Sequence, residues 1–74
     1  MKDGQLCMIK ESQELCRFIG NLNGDYSCSL GVIEDCFGYI KIVRMTDIQA
    51  VTDAYAKDVD PIMYSILMEG ENDD

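Results

Sequence analysis

A single small α+β domain of the β-α-β-β-α-β, ferredoxin-like (split βαβ) type is what the sequence predicts. Three observations lead there: a length of 74 residues, which holds one domain; apolar residues making up 47% of the chain; and short segments whose apolar spacing alternates between strand and helix periods. A domain of this size buries only about 60% of the surface of its unfolded chain. The apolar content is nevertheless too high for a disordered chain, even at a formal charge of −8.

The elements follow in order. Leu6-Cys7-Met8-Ile9, between Gly4 and Lys10-Glu11, reads as a short buried strand. Ser12 then offers a helix cap, and Leu15, Phe18, Ile19 and Leu22 fall at i, i+3, i+4 and i+7, predicting an amphipathic helix. Glu11 and Glu14 favour its start, and Asn21, Asn23 and Gly24 end it. Residues 26–32 alternate with period two, which predicts a strand with Tyr26, Cys28, Leu30 and Val32 facing inward. Residues 34–38 are of hairpin size, with Gly38 free to take positive φ, and the β-branched and aromatic run 39–45 reads as the next antiparallel strand. Thr46 looks like a second helix cap, followed by a buried stripe of Ile48, Val51 and Tyr55 and an outward Asp53/Lys57 pair. Asp60-Pro61 breaks that helix, and residues 62–68 alternate as a last strand. Right-handed crossovers would set both helices on one face of a four-stranded antiparallel sheet. The domain is expected to span residues 1–68, with residues 69–74 an acidic disordered tail.

The charge is unevenly placed. Residues 1–45 carry six acids and five bases, whereas residues 46–74 carry eight acids and Lys57 alone as a base. Such a field repels nucleic acid and anionic membrane and attracts basic protein surfaces. Asp47, Asp53, Asp58 and Asp60, assisted by Glu69 and Glu71, are therefore the candidate partner-binding residues. A second candidate is the uncovered face of the sheet. If Ile40 and Ile42 face the helices, Tyr39 and Val43 face away, joined by Met63 and Leu67, as an association face for a homodimer or a docked partner.

Other chemistry finds little support. Cys7, Cys16, Cys28 and Cys36 include no pair with CxxC spacing, and histidine is absent, so neither a zinc site nor a redox dithiol is signalled. Free thiols acting as small hydrophobes are the expectation. The apolar run after Met1-Lys2-Asp3-Gly4-Gln5 is too short for a signal peptide core, and no run approaches the length needed to span a bilayer, which points to a cytoplasmic protein. Asn21 to Asp25 fails the calcium-loop pattern, because glycine falls at position 4 and Val32 at position 12. Phosphate-binding and nucleophile-elbow motifs are missing, and Cys36 has Glu34 and Asp35 beside it to suppress its thiolate. Direct nucleic-acid binding lacks its aromatic pair and basic rim.

The function these features favour is a non-enzymatic, small acidic protein-binding module or inhibitor, without cofactor or metal. It would dock on a basic, nucleic-acid-binding surface of a partner protein, in the manner of inhibitors encoded by phages and mobile elements. The alternative is a small ferredoxin-like regulatory domain that dimerises through its sheet and senses a small ligand.

Overall fold

The computed structural model describes the backbone of residues 1–25 and 27–71, and side chains as far as Met68. The strands are β1 (Leu6–Ile9), β2 (Glu14–Asn21), β3 (Leu30–Glu34), β4 (Ile40–Arg44) and β5 (Ile48–Ala50). Two helices, α1 (Asp53–Val59) and α2 (Pro61–Glu71), follow. Every strand pairing is antiparallel, in the order β4-β3-β2-β1-β5. The chain is thus a small α+β domain, but its strand order differs from the ferredoxin-like arrangement. β1 to β4 form a meander, and β5 returns to pair with β1.

One link shapes the sheet. The edge strands β4 and β5 are joined only by the 3-10 turn Met45–Asp47. Four Cα steps from Arg44 to Ile48 reach at most about 15 Å. The edges of a flat five-stranded sheet stand about 19 Å apart. The sheet must curl, and Ile48 on one edge and Val43 on the other pack around the same interior cluster of Cys7, Cys16, Phe18 and Ile33. A register shift in β2 between Phe18 and Gly20 supplies a local bend. Gly31 leaves room for the ring of Phe18, since a Cβ there would stand 3.0 Å from Phe18 Cε1 and 2.6 Å from Met45 Sδ.

The opposite face of β1 and β2 carries Leu6, Met8 and Leu15, and the two helices cover it with Ala56 and Leu67. Thr52 caps α1 by accepting a hydrogen bond from the Tyr55 N–H, and Asp60 accepts from the Met63 N–H at the start of α2. Pro61 takes the first helical position, where a missing N–H costs nothing. Arg17 ties this layer to the sheet, donating to the carbonyls of Gly4 and Leu67.

Several elements differ from the sequence expectation. The predicted first helix is strand β2. Both faces of this strand are covered, Leu15 by helices and Cys16 and Phe18 by the curled interior, so apolar residues fall at neighbouring positions and imitate a helical stripe. Residues 10–13 form the tight turn of a hairpin instead of a cap, with Gln13 at φ 59. The predicted last strand is helix α2, whose Met63, Tyr64, Leu67 and Met68 face the core. Thr46 lies in the 3-10 turn, so the second helix starts six residues later at Thr52. The strand expected at 26–32 begins at Leu30 and faces the other way, with Gly31 and Ile33 buried; Tyr26 lies outside the described residues. α2 runs to Glu71, so residues 69–71 of the expected tail are helical, and residues 72–74 lie outside the described residues.

Gly31→Ala is expected to destabilise the fold by about 1–3 kcal/mol through overpacking against Phe18 and Met45. Denaturant unfolding measures this, and adding Met45→Ala should recover part of the loss.

Candidate functional site

The carboxylates separate into two groups by what they touch. Asp47, in the 3-10 turn, and Asp53 and Asp58, at opposite ends of α1, are exposed. Among the described residues, no side-chain hydrogen bond or ion pair engages these three. Asp58 borders a shallow groove between the helices lined by Ala54, Lys57, Pro61, Tyr64 and Met68. Lys57 does not pair with Asp53; its Nζ stands over the Tyr64 ring, 5.7 Å from the centroid. Asp60, expected in the same docking set, is half-buried and caps α2. Glu69 and Glu71 belong to the last turns of α2, with side chains outside the described set.

The predicted association face is not brought together. Tyr39 is exposed, but Val43 packs into the curled interior, Met63 sits against the helix-covered core, and Leu67 is 7% exposed within that core. The faces of β4 are reversed from the expectation. Val43 pairs with Gly31 over the interior, whereas Ile40 and Ile42 point to the outer face at 59% and 60% exposure. Helix α2 contacts β2, and the outer side of β4 is left exposed at Ile40 and Ile42. Phe37 and Tyr39, at 75% and 68% exposure, continue this apolar surface into the preceding turn.

Asp35 builds that turn. Its Oδ1 accepts the N–H groups of Phe37 at 2.9 Å and Tyr39 at 3.0 Å, and its Oδ2 lies 3.5 Å from Lys41 Nζ. Gly38, at φ 87, completes the loop by donating to the Asp35 carbonyl at 3.0 Å. Desolvation of Asp35 raises its pKa, but the two amides and Lys41 outweigh it and hold the carboxyl below its ordinary value.

The cysteines are free thiols. Cys7 and Cys16 oppose one another across β1 and β2, with sulfurs 3.2 Å apart in the interior, and Cys16 Sγ also donates to the Cys7 carbonyl at 3.7 Å. Their mutual hydrogen bond, then burial, pushes Cys16 up, while the same bond draws Cys7 down against its burial. Cys36 is raised by burial first and then by the Asp35 and Glu14 carboxylates. The 3-10 turn Leu22–Gly24, with Asn23 and Gly24 at positive φ, follows strand β2 and not the helix that Asn21, Asn23 and Gly24 were expected to end. Among the described residues, no group of three His, Cys, Asp or Glu is placed to hold a metal ion, and no helix is long and apolar enough to cross a membrane.

In comparisons with known proteins, no family model matches the chain, nor does any curated protein or solved structure. The site is therefore read from its own residues.

Two outcomes are expected. In the folded protein, Cys7 and Cys16 should resist alkylation until denaturant is added, while Cys28 and Cys36 react, Cys36 slowly near neutral pH and faster as pH rises; mass mapping of a labelling time course checks this. Because the folded pKa of Asp35 is depressed, its stabilising contribution is complete above the unfolded value of about 3.9 and is lost as pH falls through the lower folded value. Thermal melts between neutral and strongly acid pH should show Asp35→Asn losing less stability on acidification than the parent chain.

Proposed function

We propose that this chain is a small acidic protein-binding module or inhibitor that docks on a basic surface of a partner protein. The observation that carries the reading is the division of its aspartates. Asp35 and Asp60 are engaged inside the fold, whereas Asp47, Asp53 and Asp58 are held at the surface and, among the described residues, no cation pairs with them. Carboxylates fixed at the two ends of a capped helix keep their side chains hydrated in the free protein. A guanidinium or ammonium surface can then engage them without first breaking an internal pair. The chain-wide charge of −8 adds long-range attraction to the encounter. The ligand-sensing regulatory domain is the weaker reading, since it rested on a ferredoxin-like sheet and the strand order differs.

The discriminating measurement is salt-dependent binding to a basic partner recovered with the immobilised chain and then purified. Screening shortens from about 10 Å at 0.1 M salt to about 3 Å at 1 M, so affinity should fall steeply across that range. Asp53→Asn combined with Asp58→Asn should weaken binding about tenfold with the melting temperature little changed. A complex indifferent to both salt and these substitutions would overturn the proposal.

A further inference from the structure

The outer edge of β4 carries a pattern that the acidic surface does not use. The Asp35 N–H donates to the Tyr39 carbonyl, and the Met45 N–H donates to the Ser29 carbonyl. Hydrogen-bonding residues alternate along an antiparallel ladder, so Lys41 and Val43 bond to β3. Ile40, Ile42 and Arg44 therefore aim their N–H and C=O groups away from the sheet. These same residues place their side chains on the uncovered outer face, where Ile40 and Ile42 are exposed. β4 pairs with β3 alone and stands at the end of the strand order. An open strand edge is a template for another strand.

We propose that β4 is a homodimerisation edge, pairing antiparallel with β4 of a second copy about a two-fold axis through Ile42. In this register Ile42 faces its own copy, Ile40 of each chain faces Arg44 of the other, and Lys41 faces Val43. Neither cation opposes itself. Sliding the strands so that the axis passes through Lys41 would set two ammonium groups face to face, which is unfavourable. Each outward-facing pair exchanges two N–H···O bonds.

Charge complementarity selects a second copy as the occupant. Glu34 stands between Arg17 of β2 and Ile40 of β4 and shares their outer face. Arg44 of the second copy, packed beside Ile40, therefore reaches toward Glu34. The dyad makes this pairing twice. Residues 39–46 contain Lys41 and Arg44 and no acid, which lessens the repulsion between two chains of charge −8 at this edge. The contact is isologous and closes on itself, giving a dimer and no larger assembly. It is independent of the aspartates assigned to partner docking.

Light scattering over a concentration series reaching about 1 mM tests the proposal together with amide hydrogen exchange. The expected mass is twice the 8.3 kDa of the chain at the upper end. In the dimer the amides of Ile40, Ile42 and Arg44 should be protected, and on dilution they should lose protection while Lys41 and Val43 keep theirs. Ile42→Lys should raise the dissociation constant at least about tenfold, with unchanged circular dichroism. A mass that stays monomeric throughout, a dimer that Ile42→Lys leaves intact, or a ring or higher oligomer would each overturn it. Should Ile42→Lys fail to fold, the concentration dependence of the Ile42 amide in the parent chain decides alone.

Discussion

The three-residue turn Met45–Asp47 is the constraint on which the rest of the structure depends. It joins strands at opposite edges of the sheet, and its reach is shorter than a flat sheet is wide. Curling follows, and curling creates an interior that only small or suitably shaped groups can fill. Cys7 and Cys16 meet there with their sulfurs in contact, Phe18 is the largest fully buried side chain, and Gly31 gives way to it. A five-stranded sheet in so short a chain thus obtains one core from its own concave face. Two short helices are enough to cover the other core.

That economy has a cost at the edges. The helices rest on the β1 and β2 side of the convex face, so the outer side of β4 is left without a covering layer. The turn before it is fixed by one buried carboxylate. Asp35 accepts two backbone amides and approaches Lys41, which holds Phe37 and Tyr39 in an exposed position. The exposed acids belong to other elements, Asp47 to the 3-10 turn that follows β4 and Asp53 and Asp58 to α1. The domain therefore offers two chemically distinct surfaces, one charged and one hydrogen-bonding and apolar.

The parts of this architecture that were legible in the sequence are those with local causes. β1, the hairpin with Gly38, and β4 follow from composition and turn chemistry, and the acidic bias of residues 46–60 can be read directly. The errors have a common origin in two-sided burial. Leu15, Cys16 and Phe18 satisfy a helical stripe and a strand covered on both faces equally well, and only the curl decides between them. In residues 61–68 the periods also overlapped. The deciding signal was present in Asp60-Pro61, a cap followed by proline at the first helical position, which also reads as a helix breaker. Thr46-Asp47 and Thr52-Asp53 are two equivalent cap signals, and the sheet's need for a fifth strand selected the second. The site was less legible than the fold, because which face of β4 is buried depends on its register with Gly31, a property of the assembled sheet.

The return of β5 to β1 also sets an order of events. Cys7 to Ile9 must wait for Ile48 to Ala50 before their second ladder can form, although the hairpin from β1 to β2 is complete much earlier in the chain. During synthesis the meander of β1 to β4 is available first, with one side of β1 still bare and the concave core open. β5 and then the two helices follow the meander in the chain. Contacts this distant in sequence slow folding. Strand β5, delivered by the brief connection Met45–Asp47, is the last piece of the sheet that the ribosome supplies.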